Sequence, residues 1–202
     1  IKRTAVRLPD APALSFFLDA KHFGEKHVWT YAELLADITR AANVFHDLGI
    51  GSGDVVAFVL PNLPETHFTI WGGEAAGIVM AINPMLDGSQ IVELLQAAKA
   101  KLVVTMAPSP DNDLWQKIEA NLAAAPTVQQ VLWVSAAPYL PAETAKKLTD
   151  AVKLERSRYA KWSINDLHTL MTAQPSSHLK SGRTILSSDC SSYFCTGGTT
   201  GM

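Results

Sequence analysis

"DVVAFVLPNLPETHFTIWGGEAAGIVMAI", residues 54–82, decides the fold class. Its first run, "DVVAFVL", is short, apolar and rich in β-branched residues, the pattern of a strand buried on both faces. "NLPE" then opens a helix expected to reach about Ala76, with Pro64 in its first turn and Gly77 just past its end. "GIVMAI", residues 77–82, returns to strand. A strand joined to the next by a whole helix makes a parallel pair, because antiparallel neighbours need only a tight turn.

The alternation continues toward the C-terminus. A helix is expected over 89–100, a strand over 101–105 ("KLVVT"), a helix near 114–124 and a strand over 128–134 ("VQQVLWV"). The spacing of strand starts is that of one strand-plus-helix unit, and no residue pattern repeats between units. The fold class is therefore α/β, a mostly parallel sheet with right-handed crossovers and helices on its faces.

Toward the N-terminus, "ALSFFL" (13–18) and "HVWT" (27–30) predict a β-hairpin across "DAKHFGEK". Apolar residues from Leu34 to Leu48 then mark one stripe of a helix over 31–48. Thr30 and Glu33 form its capping box, and Gly49 stops it. Three segments are expected: residues 1–134 as the α/β core, 135–190 as a surface excursion, and 191–202 as a strand opening into a loop. Within the excursion, "SINDLHTLM" (163–171) predicts a short helix capped by Ser163, with Leu167 and Leu170 touching the body. "KLERSRYAK" (153–161) is read as a solvated face, since it lacks the aromatic platforms of a nucleic-acid site.

Composition narrows the function. The chain has 202 residues, 48% apolar and 18% charged, with a formal net charge of -2 and a pI near 6.3. That balance gives no electrostatic case for a nucleic acid or an anionic membrane. No apolar stretch reaches the roughly 18 residues of a membrane span. Cys190 and Cys195 match no zinc spacing and are expected to be reduced, buried side chains, so a reducing, cytoplasmic compartment fits best. The start at Ile1 leaves room for a trimmed upstream segment.

The chemistry concentrates in "SSYFCTGGTTGM", residues 191–202. Ser192 to Cys195 read as a strand, and a strand feeding into glycines and hydroxyls suits a phosphate grip. A Walker loop fails, because counting from Gly197 puts its second glycine at Met202. The dinucleotide fingerprint fails as well, because Thr199 stands where a glycine is required. The bland alternative is a turn shaped by glycines.

Thr196, Gly197, Gly198, Thr199, Thr200, Gly201 and Met202 do fill the first seven places of the small-small-Gly-Ser/Thr-Ser/Thr-Gly-x-Pro-Lys loop of the adenylate-forming enzymes. Upstream, "WTYAEL" (29–34) resembles the first helix start of that superfamily, and "LPNLPETHFTIWGGEAAGIVMAINPML" (60–86) resembles its helix-strand segment ending in Asn-Pro. The chain thus resembles the N-terminal part of an acyl-CoA synthetase of this AMP-binding superfamily, over about residues 9–105 and 191–202. The resemblance implies ATP, CoA and a carboxylic or fatty acid as substrates, with Mg2+ and an acyl-adenylate intermediate. It casts Thr196, Gly197, Gly198, Thr199, Thr200 and Gly201 as phosphate-binding residues and the C-terminal remainder of the same enzyme as partner. The loop lysine, magnesium-binding acid and second lysine of the family come later, so no catalytic or metal-binding residue is expected here and these residues alone are expected to be inactive.

Two alternatives remain: a non-catalytic binding or interaction module with a vestigial loop, and an adenylation domain that loads a carrier protein. Other candidates have plainer readings. His67 and Trp71 lie one helical turn apart and are read as packing partners. His22 and His27 flank the hairpin turn and are read as solvated. "SSDCSS" (187–192) offers hydroxyls without a histidine base, which speaks against a hydrolase.

Overall fold

The computed structural model describes residues 1–109 and 112–195, apart from the side chain of His22. After a first helix α1 (Lys2–Arg7), strands β1 (Pro12–Phe16) and β2 (His27–Thr30) pair antiparallel as a separate hairpin. The turn between them is a 3-10 helix over Ala20–Glu25 that begins at Asp19, whose carboxylate accepts from the Lys21 N–H. Helix α2 (Tyr31–Asp47) follows at once. Its capping box is formed: the Thr30 hydroxyl accepts from the Glu33 N–H at 3.2 Å, and the Glu33 carboxylate accepts from the Thr30 N–H at 2.8 Å. Thr30→Ala removes one side of that exchange and should cost about 1 kcal/mol of stability, read as a lowered urea midpoint with unchanged slope.

Next come β3 (Val55–Val59), α3 (Pro64–Ala76), β4 (Ile78–Ala81), α4 (Gly88–Ala97), β5 (Leu102–Met106), α5 (Leu114–Glu119) and β6 (Gln130–Val134). The chain ends through α6 (Ala142–Arg158), β7 (Ile164–Asp166), α7 (Leu167–Thr172) and β8 (Ser192–Phe194). Six strands form one sheet in the order β7-β6-β5-β3-β4-β8, and every adjacent pair is parallel. Alternation along each strand divides the core. Val55, Ala57 and Val59 join Val131 and Trp133 on the face covered by α4 and α5, while Val56, Phe58, Leu132 and Val134 face α2, α3 and α7. Both sides of β3 are buried, as its unbroken apolar sequence requires.

Helices α2 and α3 pack so closely that a Cβ at Gly72 would lie 2.9 Å from the Ala41 Cβ; the small residues permit that approach. Gly49, at φ +84°, takes the left-handed turn that ends α2.

One expectation for residues 135–190 is corrected. Residues 163–171 are not one helix: Ile164–Asp166 pairs with β6 as an edge strand, and Asp166, not Ser163, caps α7 by accepting from the Thr169 N–H at 2.7 Å. Leu167 is fully buried and Leu170 packs beside it. Residues 142–158 form α6, a helix that the sequence reading did not include; it has no buried residue, in keeping with the solvated face expected over 153–161, and its ion pairs, such as Lys147 to Glu143 at 2.9 Å, are exposed. Cys190 and Cys195 are free but exposed, not buried. Among the described residues no helix is long and apolar enough to cross a membrane.

Candidate functional site

The chain reaches its terminal loop through a well-anchored approach. Buried Asn43 of α2 donates its amide to the carbonyls of Pro175 and His178, each at 2.9 Å, and accepts from the Lys180 N–H at 2.8 Å. Further on, Arg183 donates to Asp189 at 3.1 Å and to the Gly77 carbonyl at 3.4 Å. The Leu186 N–H and then Arg183 hold the Asp189 carboxyl below the usual range. These bonds set residue 191 against β4, where the Val79 N–H donates to the Ser191 carbonyl at 3.0 Å.

Strand β8 then runs parallel to β4, with Tyr193 opposite Met80 and Phe194 opposite Ala81. Cys195 therefore leaves at the carboxyl edge of the sheet. That edge is where open parallel sheets present their ligand-binding loops. Thr196, Gly197, Gly198, Thr199, Thr200 and Gly201 follow directly, and all six lie outside the described residues.

A second polar site, which the sequence reading missed, lies at the same edge beyond β3. Glu65, in the first turn of α3, is only 3% exposed. Its Oε1 accepts from the Tyr139 hydroxyl at 2.7 Å, and its Oε2 is buried without a hydrogen-bond partner. Burial pushes the Glu65 carboxyl above its usual value, opposed by the Tyr139 hydrogen bond. Burial, with the Glu65 charge adding to it, also pushes the Tyr139 hydroxyl up. Tyr139 is held by rings: its centroid lies 4.8 Å from that of Phe16 and 5.3 Å from that of His27, both edge-on. Two cavities, of about 430 and 310 Å³, meet at Glu65. No local signal marks this pair, because a glutamate beside Pro64 reads as an ordinary helix start.

A carboxyl with a raised folded pKa contributes stability fully below its unfolded value and loses it as pH rises through the folded value. Glu65→Gln cannot ionise, so its melting temperature should gain on that of the wild type from pH 4 to pH 8. A constant difference across that range would mean that Glu65 is not buried.

The remaining sequence candidates resolve plainly. The His67 and Trp71 rings stack at 5.6 Å, and burial holds the His67 imidazole below its usual value, as packing requires. His27 is exposed. Asp189 in "SSDCSS" is engaged with Arg183. Among the described residues, no three His, Cys, Asp or Glu side chains group as a metal site would need.

Comparison with known proteins gives a consistent result. The family described as AMP-binding enzyme matches residues 1–202. The marinolic acid–CoA ligase of Pseudoalteromonas sp. (strain SANK 73390) is 31% identical over 98% of the chain and 27% of its own length. The long-chain-fatty-acid–CoA ligase of Bacillus subtilis (strain 168) is 30% identical over 68% of the chain and 22% of its own length. Among solved structures, the anthranilate CoA ligase AuaEII in complex with anthranoyl-AMP superimposes with a TM-score of 0.63 at 14% identity, over 88% of this chain and 27% of that one. The chain thus spans about a quarter of the length of these relatives.

Proposed function

Because the chain belongs to the AMP-binding enzyme family, we propose that it is the phosphate-gripping front portion of an ATP-dependent acyl-CoA ligase. In this reading a carboxylate attacks the α-phosphorus of ATP, pyrophosphate leaves, and the CoA thiolate displaces AMP from the acyl-adenylate. Thr196, Gly197, Gly198, Thr199, Thr200 and Gly201 hold the β- and γ-phosphates. Several N–H donors can converge on a polyphosphate only where no side chain keeps the backbone away. Each charge-assisted bond is worth roughly 1.5 to 3 kcal/mol, so the work of the loop is positioning and electrostatic. The observation that supports the reading is β8, whose parallel pairing with β4 brings Cys195, the residue before Thr196, to the carboxyl edge of the sheet. CoA is favoured over a carrier protein as acceptor because the relatives compared are CoA ligases. The free cysteines accord with a reducing, cytoplasmic setting. Mg2+ would arrive with the nucleotide; the described residues offer it no cluster of ligands, and no step is assigned to it.

The test extends the polypeptide to the length of its relatives and measures ATP–pyrophosphate exchange against a panel of carboxylic acids, then thioester formation with CoA. Acid-dependent exchange followed by thioester is the expected result. A folded, extended protein that shows no exchange with any acid would overturn the ligase reading. Exchange catalysed by the 202 residues alone would overturn the assignment of the missing chemistry to later residues.

A further inference from the structure

Strand β8 lacks what normally fixes the register of a strand. Register is held firmly where one face is buried and loosely where neither is. No residue of β8 is buried: Ser192 is half-buried, Tyr193 is 40% exposed and Phe194 71%. Among the described residues β8 pairs only with β4, over three positions. A slip of one residue would carry its end about 3.3 Å along the sheet. Hydrogen bonds to a phosphate span only about 2.7 to 3.2 Å, so such a slip takes every donor of a following loop off its acceptor.

Arg183 supplies the missing constraint. Its side chain is only 11% exposed. Nη1 donates to the carbonyl of Gly77, the residue before β4, and Nη2 donates to Asp189 Oδ2, three residues before β8 begins. That same oxygen accepts from the Leu186 N–H at 3.1 Å, and the Asp189 N–H donates back to the Leu186 carbonyl at 3.1 Å, so Asp189 is itself held in a closed turn. Gly77 is a fixed point as well, since a Cβ there would lie 2.5 Å from the Asp54 carbonyl oxygen and 2.7 Å from that of Gly51. One planar guanidinium thus ties the start of β4 to the start of β8, and only arginine has the fork to hold both. A charge withdrawn from water adds little net stability, because desolvation offsets its pairing, whereas selecting one register is the best-attested use of such a group. We propose that Arg183 is the positioning residue of the terminal loop: it pins β8 on β4 with Tyr193 opposite Met80, and so fixes where Cys195 hands the chain to Thr196. What the loop then grips rests on the ligase reading, whereas the pin itself does not.

In the 202-residue chain, NMR contacts between Tyr193 and Met80 and between Phe194 and Ala81 report the register with no nucleotide present. Arg183→Met should weaken them about tenfold while the contacts between β3 and β4 persist. Asp189→Ala breaks the same tie from its half-buried end and answers in place of Arg183→Met if that variant does not fold. In a polypeptide extended to the length of its relatives, ATP selects the one register able to bind it. The KM for ATP in pyrophosphate exchange should therefore rise about tenfold, as the competent register falls to about a tenth of the molecules, and the wild-type kcat should return at saturating ATP. Thr30→Ala, which lowers stability at the cap of α2, is the control for general destabilisation and should alter neither the contacts nor the KM. Undiminished contacts between Tyr193 and Met80 in both variants, or a loss of kcat at unchanged KM, would overturn the proposal. Loss of those contacts in the variants, beside an extended wild type that performs no exchange, would uphold the pin and overturn the ligase reading.

Discussion

Gly88→Ala should destabilise the protein by about 3 kcal/mol or more, although the same change in an open helix gains up to about 1 kcal/mol. A Cβ at Gly88 would stand 2.2 Å from the Lys117 carbonyl oxygen and 2.8 Å from its carbon. Both atoms are backbone, so no flexible side chain can yield; α4 and α5 must separate instead. Between them Ile91, Leu95, Trp115 and Ile118 are fully buried, and separation loosens that contact over its whole length. Overpacking costs typically 1 to 3 kcal/mol, and a clash against backbone belongs at the upper end. Gly53→Ala is the control, because nothing lies within 4 Å of a Cβ there. Urea unfolding of the two variants should separate them by more than any error of extrapolation. A neutral Gly88→Ala would mean that the two helices do not meet as described.

The elements that sequence made legible are those that carry their own periodicity. Strand β3 shows its double burial in an unbroken apolar run, and α2 carries a stripe, a capping box and a stop within its own residues. Strand β7 has only one fully buried residue, Ile164, in three. It exists because β6 offers an edge, and its single apolar contact is too short to establish a period. Helix α6 buries nothing, so it has no stripe to read. The approach to β8 was equally hidden, since Asn43 reaches residues more than 130 positions away. Glu65 and Tyr139 are 74 positions apart, and their pairing is a product of the fold alone. The terminal loop is the opposite case. Its chemistry is legible in the order of its glycines and threonines, whereas its conformation lies outside the described residues.

The contrast gives the second large effect a distinct readout. Gly198→Val, in a polypeptide extended to the length of its relatives, should lower acid-dependent ATP–pyrophosphate exchange by a hundredfold or more. Removing a single donor to developing charge costs about 10² to 10³ in rate, and a branched side chain at the centre of the grip displaces several donors together. Stability should change little, because a stretch of glycines and threonines has little apolar surface to contribute to a core. Gly88→Ala thus weakens the fold, whereas Gly198→Val spares it and removes the chemistry. A Gly198→Val protein that melts with the wild type and exchanges pyrophosphate at the wild-type rate would show that the loop does not hold the nucleotide. One that unfolds would show instead that residue 198 belongs to the scaffold, and the phosphate grip would have to be sought elsewhere along the carboxyl edge.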